Sequence, residues 1–286
     1  TSQSEQFGVF DTPIPGMVIG HANAQKLPDY AIYRPTLGVV VQGAKQVWLG
    51  NQVLDYRQGQ ALLVSVSLLA KGLITQASAE KPFLGVTIGL DTAMLREVGA
   101  SLAVPPEPAG AGLSVHALGP EVLDCLVRLA RLLNSPDALP VLYPGMLREL
   151  SYWLLKGDTG AELWALTKPE GVSDRIESAL ALLRTDFAAP IRVEDLAATA
   201  GMSLTSFHRH FKVLTRLTPI QYLKQLRLVE ARKILDAGTD NVTGAAFAVG
   251  YESAAQFSRD YSRFYGLPPK RDTLARRLGI SSLTAA

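Results

Sequence analysis

The stretch that decides the fold is a pattern written twice: VEDLAATAGMSLTSFHRHFKVL at residues 193–214 and VTGAAFAVGYESAAQFSRDYSRF at residues 242–264. In each copy a short helical run precedes a glycine, Gly201 or Gly250, and a second helical run follows it. Glycine tolerates the tight corner between two helices and lets them pack closely. The pattern therefore predicts two helix-turn-helix motifs.

The second run of each copy has an apolar face and a donor-rich face. Apolar residues recur at helical intervals and predict a stripe that faces the core. The members of this stripe are Leu204, Phe207, Phe211 and Leu214 in the first copy and Phe257, Tyr261 and Phe264 in the second. One donor-rich face is equally well explained as solvated surface, but its repetition favours contacts with the bases and phosphates of DNA. The predicted DNA contacts are Ser203, Thr205, His208, Arg209, Lys212, Ser253, Gln256, Arg259 and Arg263.

The segment between the copies predicts a single connecting helix. Residues 219–236 form a continuous helical pattern that begins with Pro219, a residue favoured in the first turn. At about 1.5 Å per residue this helix is roughly 27 Å long. With the helix widths added, it is long enough to hold two recognition helices about one DNA turn, roughly 34 Å, apart.

These motifs resemble the DNA-binding domain of the AraC/XylS family of bacterial transcription regulators. The matching residues are Ala197, Gly201, Met202, Ser203, Phe207, Arg209, Phe211, Pro219, Tyr222, Arg227, Ala231, Leu235, Gly250, Tyr251, Phe257, Ser258, Arg259, Tyr261, Gly266 and Pro268. The resemblance implies that both recognition helices enter adjacent major grooves. It assigns base reading to Thr205, His208 and Arg209 in the first helix and to Gln256 and Arg259 in the second.

Two departures from the family pattern concern the ends of the motifs. Leu217 stands where the family usually has glycine, and Ala254 and Ala255 occupy positions that are often polar. Alanine has no side-chain donor for a base edge. The second recognition helix is therefore expected to be the weaker reader.

The N-terminal part of the chain predicts a β-rich domain followed by helices. Residues 34–91 contain short β-rich runs at 8–12-residue spacing, separated by glycine-containing turns, which favours a small sandwich or barrel. Asp91 is a plausible N-cap for a helix over 92–98, and amphipathic helices follow at 121–133 and 143–155. Residues 103–112 are expected to form a loop. The two amphipathic helices either cover the open side of the barrel or also form a four-helix contact in a homodimer.

The segments RPTL at 34–37, VVQGAK at 40–45 and LG at 49–50 resemble the effector domain of one AraC branch. That domain is a cupin-like β-barrel followed by helices. The resemblance implies a small-molecule pocket inside the barrel and dimerisation through the helices. It leaves the effector open, since related domains respond to aldehydes or bind a cyclic dinucleotide. Polar and aromatic residues on the short strands are the candidate effector contacts, namely Arg34, Gln42, Lys45, Trp48 and Tyr56.

Composition and charge fit this interpretation. The hydrophobic fraction is 48% and the charged fraction 19%, as in globular proteins. Residues 1–170 carry 12 basic and 15 acidic side chains, a net charge of −3, whereas residues 171–286 carry 16 and 11, a net charge of +5. The basic half coincides with the predicted DNA-binding motifs. No apolar run is long enough to cross a membrane, and the first residues lack signal-peptide features, so a cytoplasmic location is expected.

Two alternative functions are a cupin metalloenzyme and a cysteine-based sensor. A cupin metalloenzyme fused to a DNA-binding domain needs two or three histidines and a carboxylate inside the barrel. His208 and His210 fall on the first recognition helix and His116 outside the predicted barrel, which leaves His21. The second alternative is an electrophile or redox sensor acting through Cys125, the single cysteine, although its apolar neighbours favour a buried, inert thiol.

The sequence therefore predicts an α+β protein with two domains. Residues 1–168 form an effector and dimerisation domain, with the barrel at about 14–90 and helices at about 91–168. Residues 172–286 form an all-α DNA-binding domain with helix-turn-helix motifs at 193–214 and 242–264. We expect double-stranded DNA, a small-molecule effector and a second copy of the chain as partners, with RNA polymerase as a further one. We expect activator function, with no cofactor, metal or catalytic residue.

Overall fold

The computed structural model describes residues 7–102 and 112–277, and the side chains of residues 26–28 lie outside this description. The chain divides into two compact units. The N-terminal unit comprises residues 1–177 with 213–216, and the C-terminal unit comprises residues 178–212 with 217–286. The predicted loop at 103–112 falls almost entirely outside the described residues. No helix in the described part of the chain is long and apolar enough to span a membrane.

The described N-terminal unit contains ten strands. They are β1 (Phe7–Asp11), β2 (Met17–Ala22), β3 (Lys26–Tyr33), β4 (Thr36–Gln42), β5 (Ala44–Leu49), β6 (Gln52–Arg57), β7 (Gln60–Val64), β8 (Leu68–Gln76), β9 (Phe83–Gly89) and β10 (Leu113–Ala117). Six of these, β4 to β9, correspond to the β-rich runs predicted within residues 34–91. The strands β1, β2 and β3 were not predicted, because glycines and prolines in the first 33 residues indicated irregular structure, and neither was β10, which follows the helical signals of residues 92–98.

The strands form two antiparallel sheets that fit a cupin-like jelly roll. One sheet has six strands in the order β1-β2-β9-β4-β7-β10, and the other has four in the order β3-β8-β5-β6. The predicted fold class is confirmed, but the sheets do not join into a closed barrel. Alternate residues of each strand point to opposite faces. On β5, Val47 and Leu49 are fully buried, so this face of the four-stranded sheet is its inner face.

Four helices complete this part of the chain: α1 (Thr92–Ala100), α2 (Pro120–Leu132), α3 (Leu139–Lys156) and α4 (Gly160–Thr167). The predicted cap is confirmed, since the Asp91 side chain accepts a hydrogen bond from the Met94 amide at 2.9 Å. The helices pack on the six-stranded sheet through a core that includes Leu37, Ile88, Leu129 and Leu154. Helices α2 and α3 thus cover this sheet, as one of the two alternatives expected, and the homodimer contact stays a prediction.

Seven helices follow: α5 (Val172–Thr185), α6 (Val193–Thr199), α7 (Leu204–Thr215), α8 (Pro219–Ala237), α9 (Val242–Ala248), α10 (Ala254–Tyr265) and α11 (Pro269–Arg277). The division between the two units falls within α5. The sequence favours Ser173 as the N-cap of this helix, which was wrong, because α5 begins at Val172 and Ser173 lies in its first turn. Pro219 occupies the first turn of α8 as predicted, and Thr218 and Gln221 form a capping box there.

The two helix-turn-helix corners have the same backbone geometry. Gly201 and Gly250 both adopt left-handed conformations, with φ of 58° and 82°, which side chains other than glycine rarely tolerate. The amide of the next residue closes the corner in each case, from Met202 to the Ala197 carbonyl at 2.9 Å and from Tyr251 to Ala246 at 3.0 Å. The repeated sequence therefore produces a repeated turn.

Helix α8 holds the C-terminal unit together. Tyr222 packs edge-on against Phe211 of the first motif, with ring centroids 5.8 Å apart. Further along, Leu228, Ala231 and Leu235 pack in the core of the second motif.

An arginine of α8 fixes the chain around the second corner. The guanidinium of Arg227 donates to the carbonyls of Phe187 at 2.7 Å, Gly250 at 2.9 Å and Ala189 at 3.0 Å. Three charge-assisted hydrogen bonds in a planar fork suit arginine and not lysine. The segment after α5 and the second corner are thereby both tied to α8.

Candidate nucleic-acid interface and effector site

Helix α7 exposes the donor-rich face that the sequence predicted. Ser203, Thr205, His208, Arg209 and Lys212 are all exposed. Phe207 and Phe211 of the opposite face are fully buried, and their ring centroids lie 5.4 Å apart. This packing fixes the rotation of the helix about its axis, so the donors point away from the core of the motif.

One member of the predicted apolar stripe was assigned to the wrong face. Leu204 is 42% exposed, whereas Leu214 is buried as predicted. Leu204 is the first residue of α7. A side chain in the first turn has no preceding helical turn beneath it, so helical spacing alone does not bury it.

Helix α10 repeats the arrangement. Gln256, Arg259 and Arg263 are exposed, while Phe257 and Tyr261 are fully buried. Tyr251 and Phe257 pack edge-to-face with centroids 5.3 Å apart. The two motifs therefore present equivalent surfaces, and all nine predicted DNA contacts lie on them or at their edges.

The two serines have a structural role as well as their predicted one. Ser253 caps α10 by accepting a hydrogen bond from the Gln256 amide at 3.4 Å, and Ser203 accepts one from the Ser206 amide at 3.3 Å. Each cap satisfies one free amide at the start of its recognition helix. Both serines remain exposed.

The predicted effector contacts do not all come together. Lys45 and Tyr56 lie opposite each other on β5 and β6, on the inner face of the four-stranded sheet. Trp48 lies on the other face of β5, opposite Lys71 of β8, whose ammonium is 5.6 Å from the indole. Arg34 is exposed between β3 and β4, and the Gln42 amide donates to the Pro82 carbonyl at 2.7 Å.

Tyr33 joins Lys45 and Tyr56 in what we call the Lys45 cluster. The Lys45 ammonium lies 5.3 Å from the centre of the Tyr33 ring, and both side chains extend over Gly72 of β8. A methyl group at Gly72 would overlap the Tyr33 hydroxyl and approach the Lys45 Cε to 3.3 Å, so the glycine leaves room for this convergence. Tyr33 was not predicted as a site residue, because Pro28 interrupts the β pattern of residues 26–33 and no strand was expected there.

The Lys45 cluster has unusual acid–base properties. Burial by itself lowers the pKa of Lys45, but the oxygen atoms of Tyr33 and Tyr56 outweigh it and raise the pKa above its ordinary value. Burial raises the pKa of Tyr56 to about 12, with the Lys45 charge opposing the rise. At neutral pH the cluster therefore contains the Lys45 ammonium ion and the neutral phenol of Tyr56.

Family comparisons agree with this geometry. A family described as the AraC-type transcriptional regulator N-terminus matches residues 13–162, more than half of the chain, and a helix-turn-helix domain family matches residues 196–273. This chain belongs to the AraC family of transcription regulators. The AraC family consists of regulators and not of enzymes.

Related sequences align with about a third of the chain. The transcriptional activator RhaS of Escherichia fergusonii is 37% identical over 101 residues, which are 35% of this AraC-family chain and 36% of RhaS. The transcriptional regulator GbdR of Pseudomonas aeruginosa is 27% identical over 105 residues, 37% of this chain and 29% of GbdR. The chain thus aligns with about a third of the length of these relatives.

Solved structures of ToxT from Vibrio cholerae have a similar fold over nearly the whole chain. An apo form aligns with 92% of this chain and 99% of ToxT, with a TM-score of 0.58 and 11% identity. A form bound to an unsaturated fatty acid aligns with 95% and 98%, with a TM-score of 0.59 and 10% identity. At this identity the likeness concerns the fold alone.

The histidines of the AraC-type N-terminal unit are separated. His21 lies on β2, and His116 lies on β10, within the jelly roll and not outside it as predicted. The Nε2 atom of His116 is 2.8 Å from the Ser114 hydroxyl and 3.5 Å from a Glu162 carboxylate oxygen. Within residues 7–102 and 112–277, no three His, Cys, Asp or Glu side chains are grouped as metal ligands.

A small cavity in the N-terminal unit is unsuited to an effector. It lies between the six-stranded sheet and helices α1 and α3, with apolar walls that include Leu37, Ile88, Leu95 and Leu150. Its volume of about 10 Å³ holds one water molecule at most. The Lys45 cluster lies elsewhere, on the inner face of the other sheet.

Cys125 is buried in α2, with 1% of its surface exposed. Its sulfur accepts a hydrogen bond from Arg128 at 3.2 Å. Burial, and next the Glu149 carboxylate, raise the pKa of this thiol to about 11, and the Arg128 charge opposes them. The thiolate that would react with electrophiles is therefore scarce at neutral pH.

We expect Cys125 to be alkylated slowly. At pH 8 a thiol with a pKa of about 11 is ionised at least 100-fold less than an ordinary cysteine with a pKa of about 8.5, and burial slows the reaction further. Iodoacetamide labelling, followed by mass spectrometry against a cysteine peptide, measures this rate. The rate should rise steadily up to about pH 11. Labelling as fast as the peptide at pH 8 would contradict an inert thiol and revive the sensor alternative.

Proposed function

We propose that this chain is a transcription regulator that reads duplex DNA with both helix-turn-helix motifs and is controlled by a small-molecule effector in its N-terminal unit. One observation carries the DNA-binding part. Two recognition helices of matching geometry keep their aromatic faces buried and expose arginines at equivalent positions, Arg209 and Arg259. Arginine reads guanine in the major groove through two hydrogen bonds.

The domain assignment forms part of this proposal. Residues 1–168 serve as effector and dimerisation domain and residues 172–286 as DNA-binding domain. Exposed apolar side chains on α2 and α3 support a homodimer contact, among them Leu123, Val127, Val141 and Leu142. Effector binding would then change which half-sites a dimer engages together, because a ligand shifts a population toward the state that it binds best.

A location, a mode of regulation and a further protein contact complete the regulator hypothesis. The protein acts in the cytoplasm on promoter half-sites, as an activator, and contacts RNA polymerase there. The activator assignment is supported by the similarity to the transcriptional activator RhaS over 101 residues. We propose no catalytic activity, cofactor or metal.

Footprinting tests the DNA-binding proposal. Duplexes selected from a random pool by the full chain are cleaved with hydroxyl radicals in the presence of the protein. We expect two protected windows on one side of the duplex, about 10 base pairs apart from centre to centre. Protection of one groove only, or of opposite sides of the duplex, would exclude simultaneous reading by the two motifs.

A further inference from the structure

The inner face of the four-stranded sheet contains a lysine in otherwise apolar surroundings. Along β5, Lys45 shares its face with Val47 and Leu49, both fully buried. Across the sheet it pairs with Ile74 and Tyr56, which are each 4% exposed. A charged group in such a position is costly unless a partner compensates it.

The described residues supply no counter-ion to this lysine. Its neighbours are the hydroxyl groups of Tyr33 and Tyr56, and no described carboxylate forms an ion pair with it. A neutral phenol offers a hydrogen bond but no opposite charge. Among the described residues, only hydroxyl dipoles thus stabilise the positive charge of Lys45. By contrast, Arg232 in the C-terminal unit forms an ion pair with Asp272 at 2.9 Å.

We propose that Lys45 binds the carboxylate of a small organic acid, with the hydroxyl groups of Tyr33 and Tyr56 donating to the same carboxylate. This inference deepens the proposed function and rests on it, since the acid would be the effector. Lys45 and Tyr33 are only partly buried, so the acid would approach from the exposed side of these two side chains.

The number of charges and donors favours a monocarboxylate. One ammonium matches one negative charge, and a carboxylate has about four lone-pair sites for the ammonium and two phenols. The inner face beside the cluster is apolar, since Val47, Leu49 and Ile74 are each at most 4% exposed. A ligand with two phosphates would place a second negative charge against this apolar wall, which is costly.

The same contacts disfavour covalent capture of an aldehyde. An imine forms only from the neutral amine, which attacks the carbonyl carbon. The raised pKa of Lys45 keeps the amine protonated at neutral pH, so this lysine is suited to ion pairing and not to nucleophilic attack.

Binding measurements on the full chain test the proposal. Isothermal titration with sodium salts of straight-chain acids from acetate to octanoate is compared with the corresponding primary amides, which keep the shape but not the charge. We expect at least one acid to bind and its amide to bind at least 10-fold more weakly. Lys45→Met should weaken acid binding at least 10-fold, and Tyr33→Phe and Tyr56→Phe about 3–10-fold each.

Two further variants serve as controls. Lys45→Arg keeps the charge and should retain most of the acid affinity, which guards against a folding defect at this position. Lys71→Met removes a lysine from the other face of the same sheet, opposite Trp48, and should leave acid affinity unchanged within twofold. Failure of every acid to bind, equal binding of acid and amide, or acid binding that survives Lys45→Met would each overturn the proposal.

Measurements of DNA binding distinguish failure of the carboxylate site from failure of the proposed regulator function. If the wild-type chain binds its selected duplex but no acid, the regulator function is supported and the carboxylate site is excluded. If the wild-type chain binds no duplex specifically, the proposed function falls, and the effector role of the site falls with it. Acid binding that alters the affinity for the selected duplex would support both.

Discussion

Replacing Asp272 by alanine is expected to destabilise the C-terminal unit by about 3–5 kcal/mol. The side chain of Asp272 is nearly buried and accepts two hydrogen bonds from Arg232, each at 2.9 Å, and one from the Tyr261 hydroxyl at 2.7 Å. The substitution removes the carboxylate that pairs with the largely buried Arg232 guanidinium, which also lies over the Tyr265 ring at 3.9 Å. It also leaves the hydroxyl of fully buried Tyr261 without an acceptor.

A second ion pair between the same two helices provides the control. Asp236 of α8 pairs with Arg276 of α11 at 2.8 Å, but both side chains are about one-third exposed. Asp236→Ala should cost no more than about 1 kcal/mol, because solvent screens an exposed pair. Both pairs link α8 to α11, so their difference isolates the effect of burial.

Hydrogen exchange measured by mass spectrometry on peptides from α8 and α10 reports the free energy of opening of this unit. Tryptophan fluorescence does not, since all three tryptophans, Trp48, Trp153 and Trp164, lie in the N-terminal unit. Equal losses for Asp272→Ala and Asp236→Ala would show that the buried network contributes no more than a surface pair.

Replacing Arg209 or Arg259 by alanine is expected to weaken specific DNA binding by about 1–3 kcal/mol each, a loss of roughly 5–150-fold. Both guanidinium groups lie on the exposed faces of recognition helices whose rotation is fixed by buried aromatic residues. A bidentate pair to a guanine is lost when either side chain is shortened. The affinity of the full chain and its variants for the selected duplex measures the loss.

The salt dependence distinguishes base readers from phosphate contacts. A base reader should lose specificity and keep the slope of log affinity against log salt, whereas loss of a phosphate contact lowers that slope by about one and weakens binding to every sequence. Lys233→Ala is the control, since this exposed lysine of α8 lies off both recognition helices and pairs with Glu230 at 2.7 Å. An equal loss on unrelated DNA would reassign the two arginines to the phosphates.

The helix-turn-helix pair was predictable because its determinants are local. A glycine corner, a cap and an apolar stripe act within a few residues of each other, so each copy of the pattern forms the same turn wherever it occurs. Leu204 was placed wrongly because spacing does not describe the first turn of a helix. The six predicted strands were found in the same way, from alternation between turn signals.

The order of the strands in the two sheets and the Lys45 cluster required the tertiary structure. Lys45 was a candidate because it lies on a predicted strand. Tyr33 lies on β3, and β8 separates that strand from β5. The two side chains come together over Gly72 of β8, which leaves room for both. Register decides which face a residue takes, and a shift by one residue reverses it. That is why Trp48 and Lys45, both predicted as effector contacts, lie on opposite faces of β5.

The duplicated DNA-binding unit, with its buried aromatic and exposed basic faces, follows from the sequence alone, because periodicity along a helix is a property of neighbouring residues. The three-dimensional fold is needed to see which side chains share the inner face of the jelly roll and which charges lack a partner there. Those depend on residues far apart in the chain that the sheet brings side by side.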